Sequence, residues 1–368
     1  MKKQLSSIDM HFLISELEII KDSRIDKIYH PEKNILIFSL HKSNVGKKRL
    51  RIDIGKFLSL SEEKDEGDTL GFGMLLRKHL DGYFLTGIEQ VEPERIVKLA
   101  FKIRDSLKYL FIEFFGKGNA VLCDEHSVII NALEHHEFRE RVVKPRLKYV
   151  YPVMSYNLFD LKKEDLVKMA QQSKKDSIIV SLATELGLGG IYSEEVCLLG
   201  KIDKNKKPQD LSNDEISEIF DSIKSILSKK IEAKVVYENG NVIDFLPFEF
   251  EFYKNSDKKD FGSFNEAVSF FFSQFKEVKE TAVERRIKEL EKITEEQKLK
   301  IGEMRKEEIE LKEKGEMIYH KYILIKEVLE ELNKASEKYS WKEIKEKLKG
   351  HKVIKEVNEK EKKVVVEV

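Results

Sequence analysis

Short runs of apolar residues dominate the first part of the chain, separated by glycine, proline and charged residues. This pattern is typical of β-strands joined by turns. It predicts strands at residues 24–29, 34–39, 48–54, 84–90, 96–103, 107–114, 120–123 and 128–130. Helical spacing predicts one helix over residues 11–20 and another over 72–80, which ends before Gly82. Residues 1–160 are therefore predicted to form an α+β head with a mainly antiparallel sheet.

The composition changes after residue 160. Helices are predicted at residues 163–173, 177–186, 193–199 and 213–229. The second and third are joined by Leu186-Gly-Leu-Gly-Gly190, and this alternation suggests a helix-hairpin-helix domain over residues 161–232. In such a motif Gly187, Gly189 and Gly190 let backbone amides approach a phosphate. An alternative interpretation is that these glycines only cap the helices and turn the chain.

The strand pattern returns over residues 233–262, with a hairpin turn predicted at Asn239-Gly240. Residues 263–338 then contain no proline and the densest charge in the chain. Apolar and polar residues alternate there by three and four positions, which predicts a helical arm with a ragged coiled-coil seam. The seam consists of Ile287, Leu290, Thr294, Gln297, Ile301, Met304, Glu308 and Leu311. At about 1.5 Å per residue, such an arm would reach on the order of 100 Å.

Gly315 is the position where we expect the arm to kink or reverse. The alternative for the arm is a solvated helix that folds onto its own domain. Residues 339–368 are predicted to begin a middle region, and the strand predicted at 363–368 has no obvious partner. We therefore expect the chain to be a piece of a longer protein.

The composition limits the classes of function. The 368 residues include 67 basic and 67 acidic side chains, which excludes a uniformly basic nucleic-acid binder but allows local basic patches. Two cysteines, Cys123 and Cys197, are too few for a zinc finger or a disulfide framework. The sequence shows no secretory segment and no apolar stretch of about 20 residues, so we expect a soluble cytoplasmic protein without a membrane partner.

Motifs that carry catalytic chemistry are not found. The sequence has no nucleophile elbow, no Walker loop and no His-Glu-x-x-His pattern, so we expect neither an enzyme nor a bound metal or cofactor. Basic residues cluster at positions 47–51, 77–78, 139–148 and 201–207. Such clusters fit phosphate contacts made by one end of the chain.

Several stretches occur in an order that resembles one family. They are residues 1–9 ahead of an amphipathic helix, 49–56, 72–80, 90–97, 113–119 and 186–195. Their order and spacing resemble the NFACT family, whose members include NEMF, Caliban and RqcH, and we expect an archaeal member. The resemblance covers nearly the whole chain, as a head, a helix-hairpin-helix domain and a coiled-coil arm. The head and hairpin are similar in plan to formamidopyrimidine-type DNA glycosylases.

The resemblance implies a role in ribosome-associated quality control. Members of the family bind the large ribosomal subunit that carries a stalled nascent chain on peptidyl-tRNA. They hold tRNA, and several promote tailing of the nascent chain without mRNA. The chemistry of peptide bond formation belongs to the ribosome, so the implied protein is an RNA-binding adaptor. The coiled coil is a possible route to a dimer.

The family's tailing function is carried by an aspartate near the N-terminus and by an Asp-Arg pair. Asp9 matches the first, whereas the pair falls on Glu94 and Arg95, where glutamate moves the carboxylate out by one methylene. We therefore expect ribosome binding more firmly than tRNA-selective tailing. The alternative for Glu94-Arg95 is a salt-bridged pair on a strand. Further candidate RNA-binding residues are Arg77, Lys78, Lys117 and Asn119.

The rival function is a base-excision glycosylase that binds DNA. Such enzymes attack through an N-terminal proline amine and most carry a zinc finger, whereas this sequence begins Met1-Lys-Lys-Gln4 and has two cysteines. This alternative is therefore weaker than the ribosomal one.

Overall fold

A computed structural model describes residues 2–61, 69–137, 141–152, 155–275 and 282–367, with side chains from residue 290 onwards in the last range. The chain divides into two compact units, Met1–Lys276 and Glu277–Val368. The finer division predicted at residues 160, 232 and 262 stays a prediction.

The first unit contains fourteen strands and seven α-helices within the described residues. The strands are β1 (Ser23–Glu32), β2 (Ile35–Lys42), β3 (Gly46–Asp53), β4 (Phe57–Ser61), β5 (Phe84–Gln90), β6 (Ile96–Ile103), β7 (Ser106–Glu113), β8 (Asn119–Asp124), β9 (Ile129–Ala132), β10 (His136–Glu137), β11 (Val142–Val143), β12 (Lys234–Glu238), β13 (Asn241–Leu246) and β14 (Asp257–Asp260). The helices are α1 (Ser7–Leu17), α2 (Gly71–Leu80), α3 (Lys163–Gln172), α4 (Ile178–Thr184), α5 (Gly190–Leu199), α6 (Asn213–Ser228) and α7 (Phe264–Ser273). Short 3-10 helices occupy Glu18–Ile20, Pro208–Asp210 and Glu251–Tyr253.

The predicted antiparallel head is confirmed as one large sheet. Its strand order is β4-β3-β2-β1-β5-β6-β7-β8-β9, and every neighbouring pair runs antiparallel. The aromatic rings of Phe38 on β2 and Phe101 on β6 stack with centroids 5.7 Å apart, although β1 and β5 lie between their strands in the sheet. The sheet therefore curls until its two halves share one apolar core.

The first helix is buried on nearly every side. Apolar side chains surround its axis, including Ile8, Met10 and Leu13, and a helix that is hydrophobic all round belongs inside a core. It begins with a capping box, because the Ser6 hydroxyl accepts from the Asp9 amide at 3.1 Å and the Asp9 carboxylate accepts from the Ser6 amide at 2.7 Å. The start of α1 is thereby fixed to the preceding residues.

The small sheet β13-β12-β14 follows the helical segment, and its β12–β13 hairpin turns at Asn239-Gly240 as predicted. Both turn residues have positive φ, 50° and 77°, which the two-residue hairpin requires. After this sheet the structure differs from the prediction. Helix α7, which we assigned to the arm, packs into the first unit through Phe264, Val268 and Phe271, because these apolar residues share one face.

The second unit begins with helix α8 (Ala282–His320) and continues as α9 (Tyr322–Lys338). The junction lies at Lys321 and not at the predicted Gly315. Hydrogen bonds from the Lys321 amide to the Met317 carbonyl (3.0 Å) and from the Ile325 amide to the Lys321 carbonyl (3.0 Å) keep helical spacing across it. Gly315 lies inside α8 because one glycine weakens a helix by only about 1 kcal/mol relative to alanine.

The predicted seam residues that the structure describes with side chains are exposed, including Ile301 and Met304, whereas the side chain of Ile287 lies outside the described residues. A coiled coil along α8 stays a prediction. Beyond α9 follow α10 (Trp341–Lys347), β15 (Ile354–Asn358) and β16 (Lys363–Val366). The expectation that the last strand has no partner was wrong, because β16 pairs antiparallel with β15.

Candidate nucleic-acid interface

A cleft with a volume of about 680 Å³ opens in the first unit. Three segments that are distant in sequence line it: the N-terminal residues 2–7, the loop at 93–95, and the turn between α4 and α5 at 187–191. It therefore brings together Glu94, Arg95 and the glycines of the predicted hairpin. We call it the head cleft.

The loop that carries Arg95 is tied to the start of α1. The Gln90 side-chain amide donates to the Ser7 hydroxyl at 2.8 Å and to the Glu94 carbonyl at 3.0 Å. The Ser7 hydroxyl donates in turn to the Pro93 carbonyl at 2.7 Å. Because these bonds join a loop to a buried helix, the loop has a fixed position on the cleft wall.

Arg95 and Glu94 are both half-buried in the head cleft. Burial raises the pKa of the Glu94 carboxyl against the opposing effect of Arg95, and burial lowers the pKa of the Arg95 guanidinium against that of Glu94. No direct ion pair joins these two side chains in the described part of the chain, so the structure does not support the alternative of a salt-bridged pair. The neighbour of Arg95 is Gln4: with its amide oriented so that the oxygen faces the guanidinium, that oxygen accepts from Nη1 of Arg95 at 2.6 Å.

The glycine-rich turn between α4 and α5 is the second wall. Gly187 and Gly189 both have φ of 78°, a backbone conformation that L side chains rarely adopt. The intervening Leu188 is fully buried, and its amide donates to the Leu182 carbonyl at 3.1 Å. The alternation of leucine and glycine therefore anchors the turn inward and leaves its backbone facing the cleft.

Helix α5 starts at Gly190, directly after this turn. The first amides of a helix have no acceptor within the helix, and they carry the positive end of its dipole. A Cβ built on Gly189 or Gly190 meets nothing within 4 Å, so this wall is open to a ligand. The arrangement provides backbone donors in the same cleft as Arg95.

Asp9 does not line the head cleft. It is 0% exposed, and its carboxylate accepts from Ser6, from the Tyr192 hydroxyl at 2.9 Å and from Lys2 Nζ at 3.0 Å. Protein donors therefore already surround this carboxylate, and a direct contact of Asp9 with RNA stays a prediction. In this structure Asp9 acts on the cleft only through its partners.

Lys2 connects the N-terminal segment to the small sheet. Its ammonium lies 3.0 Å from Asp9 and 3.4 Å from Asp244, and it donates to the Phe245 carbonyl at 3.1 Å. Burial alone would lower the pKa of Lys2, but the carboxylates of Asp244 and Asp9 outweigh it and raise this pKa. The pKa of Tyr192 is raised by burial and by the same two carboxylates.

With this geometry in view, the comparisons with known proteins are informative. The sequence model of the family described as "NFACT N-terminal and middle domains" matches residues 6–364. The chain belongs to the NFACT family. The "Archaeal Rqc2 homolog aRqcH" of Methanocaldococcus jannaschii is 30% identical over 373 residues, covering 96% of this chain and 55% of that protein. The "Ribosome quality control complex subunit NEMF homolog" of Drosophila melanogaster is 24% identical, covering 95% and 42%.

This NFACT chain spans about half the length of the relatives that it matches. Among solved structures, the fibrinogen binding protein from Staphylococcus aureus is similar with a TM-score of 0.60 and 20% identity, covering 73% of this chain and 98% of that one. This likeness supports the fold of the antiparallel head. The predicted likeness to DNA glycosylases stays a prediction.

Two of the other predicted RNA-binding residues have structural partners in the NFACT head. Arg77 donates through Nε to the Ile28 carbonyl at 2.6 Å and through Nη2 to the Thr69 hydroxyl at 2.7 Å. Asn119 is buried and bonds to both the amide and the carbonyl of Glu134, each at 3.0 Å. These side chains hold β1 against α2 and β8 against the residues that follow β9, and their contact with RNA stays a prediction.

Lys78 and Lys117 are exposed, as an RNA contact requires, but neither lines the head cleft. In the basic cluster at 139–148, residues 139 and 140 lie outside the described residues. Arg141 is part of a buried ion pair, in which its guanidinium donates to both oxygens of Glu113 at 2.8 and 3.1 Å. This member of the basic cluster is therefore committed to a protein carboxylate.

The residues that sequence reasoning missed are Lys2, Lys3 and Gln4, together with Tyr192 and Asp244. The first three precede α1 in an extended segment. No helical or strand spacing of apolar residues covers this segment, and no sequence motif includes these residues. The only signal in the sequence was charge ahead of a capping serine.

No helix among the described residues combines the length and apolar character needed to cross a membrane. No group of three or more His, Cys, Asp or Glu suited to a metal ion occurs in the same part of the chain.

Proposed function

We propose that this chain is the N-terminal and middle part of a factor in ribosome-associated quality control, and that its head cleft binds RNA. Family membership supports the proposal, as do relatives whose names describe Rqc2 and RqcH proteins and subunits of a ribosome quality control complex. The observation that carries it is the convergence of Arg95 with the turn at Gly187–Gly190 on one cleft.

The chemistry of the cleft suits a phosphodiester backbone. Arg95 presents a planar fork of N–H donors, and Lys3 adds an exposed ammonium on the same cleft. The amides at the start of α5 provide uncharged donors for phosphate oxygens. In this proposal the turn acts as a helix-hairpin-helix phosphate site with Gly187, Gly189 and Gly190 at its centre.

The RNA that we propose as ligand is tRNA on the large ribosomal subunit, in a complex that also holds the nascent chain. The chain acts as a cytoplasmic adaptor without catalysis of its own, since any peptide bond chemistry belongs to the ribosome. Glu94 keeps the charge of the family's aspartate but extends its carboxylate by one methylene. Bidentate base recognition depends on such distances, so the proposal places ribosome and tRNA binding ahead of tailing.

The proposed role of the second unit is reach and association. Helix α8 exposes Ile301, Met304 and Leu311 at the spacing of a coiled-coil seam. We propose self-association through this seam. Sedimentation of the purified chain would then show a concentration-dependent dimer that Ile301→Glu abolishes. Leu299→Glu is the matched control, because Leu299 is exposed on the same helix but lies off the seam.

Co-sedimentation with isolated large ribosomal subunits tests the proposed function. Sequencing of the RNA that copurifies with the chain should show ribosomal and transfer RNA above the level in a sample with an unrelated protein. If neither RNA is enriched and the chain stays in the supernatant, the proposal is wrong. The salt dependence of binding should be steep, because phosphate contacts release counterions.

A further inference from the structure

Gln4 lies between the head cleft and the large sheet. Its side-chain nitrogen donates to the Gly55 carbonyl at 3.2 Å, while its oxygen accepts from Nη1 of Arg95 at 2.6 Å. The opposite orientation of the amide would set the oxygen against the Gly55 carbonyl and the nitrogen against the guanidinium. The two partners therefore determine which way this amide points.

The backbone on both sides of Gln4 is fixed. The Leu5 amide donates to the Lys56 carbonyl at 2.8 Å, and the Lys2 amide donates to the Ile243 carbonyl at 3.1 Å. The ammonium of Lys2 is held by Asp9 and Asp244. Gln4 thus reaches Arg95 from a segment that is anchored at both ends, as a residue that positions another side chain must be.

Arg95 and Arg141 have different kinds of partner in the first unit. Arg141 forms a bidentate pair with Glu113, in which the carboxylate cancels the positive charge. Arg95 has a neutral amide as its partner. A guanidinium has five N–H donors, so one bond to Gln4 leaves others with no protein acceptor in the described part of the chain.

We propose that Gln4 is the positioning residue of the head cleft: its neutral amide fixes the Arg95 guanidinium in place without adding an opposing charge, so that the guanidinium stays positive toward a phosphate of the bound RNA. This inference rests on the proposed function. It also explains why the N-terminal segment is so strongly anchored, because a loose segment would let Gln4 and Arg95 turn away from the ligand.

Two substitutions separate the parts of this role. Gln4→Met keeps the size of the side chain but removes the oxygen that holds Arg95. Gln4→Glu keeps the reach and the acceptor but places a carboxylate against the guanidinium. A merely structural role would tolerate an added ion pair, whereas an RNA-binding role would suffer from the cancelled charge.

Binding of a fluorescently labelled tRNA to the whole chain would be measured by anisotropy over a series of KCl concentrations. We expect Gln4→Met to lower the affinity about tenfold, the lower end for one lost hydrogen bond to a charged group. Gln4→Glu should also weaken binding and reduce the slope of log affinity against log salt by about one. In the Arg95→Ala background, Gln4→Met should have no further effect, because there is no guanidinium left to position.

The outcomes distinguish this inference from the proposed function. If Arg95→Ala weakens binding but Gln4→Met lowers the affinity by the same factor with and without Arg95, Gln4 does not act through Arg95 and the inference is wrong. An unchanged affinity and salt slope in Gln4→Glu would also overturn it. An Arg95→Ala chain that binds tRNA as tightly as the original would overturn the cleft as the RNA site, and Gln4 with it. Thermal unfolding of each variant checks that the fold is retained.

Discussion

The Tyr192 hydroxyl donates to Oδ1 of Asp9 at 2.9 Å across 183 residues of sequence. The same oxygen accepts from Lys2 Nζ at 3.0 Å, so one carboxylate joins α5, α1 and the N-terminal segment. All three side chains are removed from solvent almost completely. This buried cluster ties α5, which follows the glycine-rich turn, to the start of α1, which binds the Arg95 loop, and both segments line one cleft.

Replacement of Asp9 by alanine should lower the stability of the fold, because it releases the N-terminal segment, rather than remove a direct contact to RNA. The substitution leaves the buried ammonium of Lys2 with less compensation, and breaking a buried ion pair in this way destabilises by about 3–5 kcal/mol. Urea unfolding followed by circular dichroism measures the loss. Asp105→Ala is the control, because Asp105 is exposed at a hairpin and should change the stability by less than about 0.5 kcal/mol. A loss for Asp9→Ala as small as that of the control would contradict the assignment.

The stability of the first unit should fall in alkaline solution because of Tyr192. Its folded pKa lies well above the ordinary value of 10.0, so the folded state keeps the proton above about pH 10 while the unfolded state loses it. The stabilisation is complete below pH 10 and declines by about 1.4 kcal/mol per pH unit above it. Tyr192→Phe should make the decline shallower by that amount in urea titrations between about pH 9 and 11. An equal slope in both proteins would show that Tyr192 does not titrate on unfolding.

Gly118 should tolerate alanine far less well than Gly116, two residues earlier. Both have positive φ, 76° and 58°, so each substitution costs about 1–2 kcal/mol in backbone strain. At Gly118 the added Cβ would also lie 2.5 Å from the Gly55 amide nitrogen, whereas at Gly116 it would meet nothing within 4 Å. We expect Gly118→Ala to destabilise by about 1–3 kcal/mol more than Gly116→Ala in the same denaturant assay. An equal loss of stability in the two variants would mean that the loops containing Gly118 and Gly55 can move apart at little energetic cost.

Arg95→Ala should weaken tRNA binding more than binding to the large subunit. An arginine that contacts the nucleic acid contributes about 1–3 kcal/mol, which corresponds to a loss in affinity of about fivefold to 150-fold. Arg95→Lys should lie between the two, because lysine keeps the charge but not the planar fork. Filter binding of tRNA and sedimentation with subunits measure the two affinities. Lys102→Ala, an exposed cation on the next strand that does not line the cleft, should change neither. Equal loss of both activities in Arg95→Ala would indicate a structural role.

Local patterns predicted the elements of the first unit well, because strand and helix periods follow from which faces are buried. Strands β5 and β6 and the start of α3 and α6 lie where the sequence placed them. The missed strand β4 is short, and α7 falls within the predicted arm because no proline separates its sequence from the densely charged residues downstream. The spacing of apolar residues shows which face of a helix is buried, but it does not show which element covers that face, because that element is distant in sequence.

The sequence by itself determined the antiparallel head, the glycine-rich turn, the long charged helix and the family to which they belong. Each depends on residues close together along the chain, whose spacing sets backbone conformation and the side that faces a core. Only the tertiary structure decided that Asp9, Arg77 and Asn119 are occupied by protein partners, and that Gln4 meets Arg95. Those contacts join residues far apart in sequence, and the hydrogen-bonding capacity of a polar side chain is committed only when the fold brings its partner within reach.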